Sequence, residues 1–104
     1  MAIKIFLVCS AGMSTSMVVN KMKEAAIAEG IDAEIKAYSQ SEFNDVVDKY
    51  DVCMIAPQIS YQFDHFNSIC VKKGLGCGKI EMIDYGMMKG DVILKQAIAL
   101  SKNE

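Results

Sequence analysis

The chain contains no arginine: all eleven basic residues are lysine. It also has no tryptophan, a single proline and a single histidine. Without arginine, no side chain offers the planar fork that grips a phosphate bidentately and stabilises its charge during transfer. With one histidine, and four cysteines that form no CxxC pair, a zinc site has little to work with, and no metal is expected. His65 lies between Asp64 and Phe66 on the polar side of a helix and reads as a solvated surface residue. No apolar run approaches the roughly 18 residues that span a bilayer. The start of the chain, MAIKIFLVC, lacks the small-residue cleavage pattern of a signal peptide. The expectation is therefore a cytoplasmic protein whose cysteines stay reduced. A net charge of −2 argues against nucleic acid as a partner. At 104 residues and 52% apolar, the chain has enough material for one domain, 1–104, with a core that needs no disulfides.

What is present is organised around residues 3–16, IKIFLVCSAGMSTS. Ile3, Ile5, Phe6, Leu7 and Val8 form an apolar, β-branched-rich run, as in a strand buried on both faces. The run stops at Cys9, small residues follow, and helical periodicity then begins. A strand, a tight polar loop and a helix in that order point backbone N–H groups into a concavity at the helix N-terminus, which suits phosphate. The same field favours thiolate over thiol at Cys9. Cys9 is thus the candidate nucleophile, against the alternative of a small core residue ending a strand. Gly12 permits a positive φ in the loop. Ser10, Ser14, Thr15 and Ser16 offer hydroxyls to phosphate, although any one of them can equally serve as a helix cap.

The rest of the chain alternates. A helix over about 14–29 carries Val18, Met22, Ala25 and Ala26 on one face, with Gly30 at its end. Residues 33–37 alternate as an edge strand. Ser39 and Glu42 fit a capping box, followed by a short helix with Phe43, Val46, Val47 and Tyr50 inward. Residues 52–56 read as a central strand ending at Pro57. Ile59, Phe63, Phe66 and Cys70 place a helix over about 61–73. The glycines around Cys77 read as a break, 79–83 as a short strand and 84–86 as a loop. A last helix, about 87–102, turns Leu94, Ala97 and Ile98 inward. Cys53 and Cys70 read as core residues. Cys77 reads as an exposed loop residue with nothing to activate it, and the methionines mostly as core fillers with some near the loop suited to docking.

Strands alternating with helices imply an α/β fold: a four-stranded parallel sheet, order 2-1-3-4, with helices on both faces. Ligands in such sheets sit beyond the carboxyl ends of the strands, at the switch point between strands 1 and 3. Cys9 and Pro57-Gln58 stand at those two ends.

Cys9-Ser10-Ala11-Gly12-Met13-Ser14-Thr15-Ser16 closely resembles the active-site loop of the enzyme IIB components of the bacterial sugar phosphotransferase system, of the lactose/cellobiose (chitobiose) family. Ala56-Pro57-Gln58-Ile59-Ser60-Tyr61 is similar to that family's second signature loop, and the resemblance covers the whole chain. It implies a flavodoxin-like, low-molecular-weight-phosphatase-like fold without a cofactor. It implies that Cys9 accepts a phosphoryl group from a phosphohistidine on the IIA component and passes it to a sugar of the cellobiose/chitobiose β-glucoside type on the membrane IIC component. Residues 10–16 would cradle the phosphate, and Pro57, Gln58, Ile59 and Tyr61 would face the partner. The free subunit would be a monomer.

The loop is also similar to that of low-molecular-weight tyrosine phosphatases, which use Cys-x5-Arg. Thr15 stands where that arginine would be. Without it, a phosphocysteine should hydrolyse slowly, which suits a carrier and handicaps a phosphatase. The alternatives are a phosphatase or arsenate-reductase-like cysteine enzyme, with Asp84 offered as its acid, and a flavin-binding protein with Tyr61 and Tyr85 against the ring.

Overall fold

The computed structural model describes residues 2–10 and 13–101. Four strands form one sheet, β1 (Ile3–Cys9), β2 (Ala33–Ser39), β3 (Val52–Ile55) and β4 (Gly76–Lys79), in the order β2-β1-β3-β4. Every neighbouring pair is parallel. Helices α1 (Met13–Ala28), α2 (Phe43–Val46), α3 (Phe63–Lys73), α4 (Met82–Gly86) and α5 (Gly90–Ser101) connect and cover the strands.

Alternation along β1 divides the core in two. Ile5, Leu7 and Cys9 point to one face, where they pack with Val18 and Met22 of α1 and Ile93, Leu94 and Ala97 of α5. Phe6 and Val8 point to the other, where Phe43, Val46 and Val47 join Phe66 and Cys70 of α3. Five of the seven β1 residues are buried, as expected of a strand with neighbours on both edges and helices on both faces. The capping box at Ser39 is present, with the Glu42 carboxylate accepting from the Ser39 N–H at 3.1 Å. Gly30 and Gly74 both take positive φ just beyond helices α1 and α3, where a side chain would be strained.

The fourth strand departs from the sequence reading. It lies over Gly76–Lys79, not 79–83, and Met82 opens helix α4 with 74% of its surface exposed. Packing explains the difference. A Cβ on Gly76 would lie 2.7 Å from the Leu100 carbonyl oxygen, and one on Gly78 would lie 2.6 Å from Leu100 Cδ1. Glycine lets α5 press against the edge strand, so close approach overrides the usual aversion of strands to glycine. Ile80 continues the ladder by donating its N–H to Ile55 O at 2.9 Å. The last helix likewise begins at Gly90, not near 87, because α4 and a turn with Met88 at φ 53° occupy the segment before it. A 3-10 stretch, Pro57–Gln62, precedes α3, which begins at Phe63 and not at 61.

Candidate functional site

Cys9 is the final residue of β1 and pairs in register with Ser39 of β2. On its other side, Ala56 donates its N–H to Val8 O at 2.9 Å, so the 57–62 segment leaves the sheet beside the cysteine. The two sequence loops therefore meet at the carboxyl end of the central strands, at the switch point. The Cys9 side chain is 3% exposed, and its thiol donates to Tyr38 O at 3.7 Å. Helix α1 begins at Met13 and has no acidic residue in its first turn, so nothing there offsets the positive end of its dipole.

The remaining loop residues divide. Ser10 and Ser16 are exposed. Thr15 is wholly buried, and its Oγ1 lies 2.9 Å from the Tyr85 hydroxyl of α4 in a hydrogen bond either group can donate. The position an arginine occupies in Cys-x5-Arg phosphatases thus holds a neutral hydroxyl pair. Ala11 and Gly12 lie outside the described residues, as do the side chains of Met13 and Ser14.

In the second loop, Ile59 is buried and its N–H donates to Ala56 O at 3.1 Å, which fixes the 3-10 turn. Gln58 is exposed, Pro57 half-buried, and Tyr61 is 78% exposed. Gln62 ties this loop to the start of the α2 region by donating to Gln40 Oε1 at 2.8 Å, and it donates to the Tyr61 hydroxyl at 3.1 Å. Met17, Met82, Ile83 and Met87 are exposed. Met22 and Met54 are buried, so the methionines split between the core and the surface at this end of the sheet, where more core fillers were expected. His65 is exposed, as its neighbours suggested.

One group escaped the sequence reading. Cys77 is not an exposed loop residue: it lies on β4 with 9% exposure, in register with Cys53 of β3. Cys70 reaches the same point from α3, and the sulfurs of Cys53, Cys70 and Cys77 all lie within 4.8 Å of one another. Burial, together with hydrogen bonds to Cys70 and Cys77, raises the Cys53 thiol well above its usual range. Hydrogen bonds from Cys53 and Cys77 pull Cys70 down to about 4, against the opposing effect of burial. The spacings 53, 70 and 77 match no motif; the register of β3 and β4 and the packing of α3 on them unite the three.

Comparison with known proteins agrees with this architecture. Residues 4–96 match the family model "PTS system, Lactose/Cellobiose specific IIB subunit". The oligo-beta-mannoside-specific EIIB component of Bacillus subtilis (strain 168) is 38% identical over 101 residues, covering 97% of this chain and 98% of that one. The cellobiose-specific EIIB component of Lactococcus lactis subsp. lactis (strain IL1403) is 38% identical over 98 residues, covering 89% and 91%. The solution structure of a cellobiose-specific IIB component from Borrelia burgdorferi superposes with a TM-score of 0.83 at 38% identity, covering 99% of this chain and 94% of that one. A lactose-specific IIB domain from Streptococcus pneumoniae, only 14% identical, shares the fold with a TM-score of 0.86 over 96% of this chain and 98% of that one. The chain belongs to the lactose/cellobiose-specific IIB family of the phosphotransferase system and is a phosphotransferase component.

Proposed function

We propose that Cys9 carries the phosphoryl group. A IIA component presents a phosphohistidine; the Cys9 thiolate attacks phosphorus, the N–P bond breaks, and the imidazole leaves with its electron pair as an S–P bond forms. In the second half, a sugar hydroxyl on the membrane IIC component attacks the phosphocysteine. The S–P bond breaks, the hydroxyl proton passes to a base, and the thiolate returns. The chain acts as one cytoplasmic domain, 1–104, monomeric when free. Residues 10–16 form the phosphate cradle, and Pro57, Gln58 and Tyr61 lie on the partner side; Ile59, expected there with them, is buried and holds their loop from beneath.

The observation that carries this reading is the pairing of a strand-end cysteine with a neutral Thr15–Tyr85 pair where a hydrolase would hold arginine. A cradle of backbone N–H groups binds the anion, but the chain has no arginine to stabilise the charge of water attack bidentately. The phosphocysteine therefore persists until an acceptor arrives. Loss of the thiol proton also removes the donor in the Cys9–Tyr38 contact and leaves sulfur facing a carbonyl oxygen. Repulsion then favours turning the sulfur toward the cradle.

Curated relatives at the same 38% identity are named for oligo-beta-mannoside, galactose and cellobiose. Equal identity to relatives of three different sugar specificities supports a sugar choice that lies largely with the membrane component; among these, the cellobiose-type β-glucoside best fits the loop resemblance.

The test is incubation with phosphorylated IIA, followed by intact mass and peptide mapping. A gain of about 80 Da mapping to Cys9 is expected. Cys9→Ser should keep its circular dichroism and take no adduct, since a hydroxyl is a far poorer nucleophile near neutral pH. An undiminished adduct on the variant would move the site elsewhere. Hydrolysis of para-nitrophenyl phosphate should not exceed that of Cys9→Ser; a clear excess would favour a phosphatase.

A further inference from the structure

The three-cysteine cluster lies on the opposite face of the sheet from Cys9. Cys9 shares its face with Ile5 and Leu7, whereas Cys53 and Cys77 share theirs with Phe6 and Val8. The cluster therefore takes no part in phosphoryl transfer by contact, and its arrangement calls for its own account. We propose that Cys53, Cys70 and Cys77 form a binding site for a soft monovalent cation, cuprous copper, held by three sulfurs.

Geometry is the first support. A trigonal site with metal–sulfur bonds of about 2.3 Å sets sulfurs roughly 4.0 Å apart. The sulfurs here already lie within 4.8 Å of one another, each on a different element, β3, α3 and β4.

Ligand chemistry is the second. The cluster consists of cysteines alone among the described residues. Its surroundings are apolar: Phe66, Ile55, Val47 and the half-buried Leu75 belong to the same cluster of core residues. Thiolates without nitrogen or oxygen partners select soft cations and disfavour calcium or magnesium. Zinc in closed protein sites takes four ligands, and this cluster supplies three. Cuprous copper is satisfied by three sulfurs.

Loading of the site balances through the thiols. The thiolate and not the thiol is the metal ligand, so each coordinating cysteine gives its proton to solvent. Binding changes no oxidation state: three S–H bonds are lost, three copper–sulfur bonds form, and three protons leave. The slight exposure of Cys77 provides the side from which a cuprous ion exchanges in from a thiol or chelator.

The test uses the full chain carrying Cys9→Ser, so that the remaining thiols are those of the cluster. It is kept reduced and anaerobic and titrated with copper(I) against bicinchoninate. One copper per chain should be withdrawn from the chelator. X-ray absorption should show three sulfurs at about 2.3 Å and no nitrogen or oxygen. Cys70→Ala and Cys77→Ser, checked for folding by circular dichroism, should each weaken binding by at least roughly 10–100-fold. Three outcomes overturn the proposal: no copper retained against the chelator, which would make the cluster core packing only; copper on fewer than three sulfurs; or zinc retained more tightly than copper with a nitrogen or oxygen donor. The absorption measurement needs no cluster variant, so a substitution that fails to fold does not remove the test.

Discussion

In the proposed function, Thr15 is the side chain that separates a carrier from a phosphatase on a shared fold. Counting six residues from Cys9 reaches the place where a phosphatase keeps its arginine, and here a buried hydroxyl meets Tyr85 at 2.9 Å. The bond also fastens α4 to the first turn of α1, and so holds the loop end in place. Thr15→Val keeps the shape and removes the hydroxyl. It should lower unfolding free energy by about 1–3 kcal/mol, with Tyr85→Phe costing less because the ring stays packed. Urea unfolding of both single variants and the double should give a coupling of about 0.5–1.5 kcal/mol. Strict additivity would mean that the hydroxyls do not support one another in solution. The place of Cys9 at the end of a central strand was legible in the sequence because its argument is local: an apolar run, a cysteine, small residues and a helix. The Thr15–Tyr85 bond was not, because it joins residues 70 positions apart through a helix that the sequence presents as a loop.

At the level of elements, the edge strand β4 reveals where pattern reading failed. Segments such as β1, β2 and α1 keep their places because alternation or helical spacing follows burial directly. β4 reads Gly-Cys-Gly-Lys and has no such pattern. Its residues are chosen by what lies above them, namely Leu100 and Gln96 of α5. The same misreading hid Cys77, since a residue assigned to a loop has no register with Cys53. The contact makes a ranked prediction. Gly76→Ala meets backbone at 2.7 Å, which cannot yield without shifting α5. Gly78→Ala meets the tip of the Leu100 side chain, which can turn aside. Overpacking of this kind costs about 1–3 kcal/mol, with Gly76→Ala at the upper end and Gly78→Ala at or below the lower. Adding Leu100→Ala should relieve Gly78→Ala and not Gly76→Ala. Chemical denaturation of the four variants checks the order; equal costs at both glycines would show that α5 sits farther from β4 than described.

For the whole molecule, the proposed carrier role brings a donor to the carboxyl end of the sheet, whose surface character is set by residues far apart in the chain. Tyr61 follows β3, Met82 and Met87 flank α4, and all three are exposed. The Thr15–Tyr85 bond places α4, and with it Met82 and Met87, beside the start of α1. No Asp or Glu occurs between Cys9 and Lys23 or between Val52 and Phe63, so the approach of a phosphorylated partner meets no fixed negative charge from those stretches. Methionine adapts to a partner that must also leave, and transient encounters of this kind bury under about 1,200 Å². Met87→Asp and Tyr61→Asp should therefore slow phosphoryl transfer from IIA several-fold, on the order of 3–10-fold at low salt, and less as salt screens the new charge. Met87→Lys should slow it less, because it removes the apolar contact without repelling phosphate. Ile27 supplies the control. It is 80% exposed but sits near the far end of α1, roughly 21 Å from Met13 at the helical rise of about 1.5 Å per residue. Ile27→Asp should leave the second-order transfer rate unchanged. If Asp at position 87 or 61 left the rate as it is while Asp at position 27 lowered it, the donor would dock at the opposite end of the sheet, and Cys9 would not be its target.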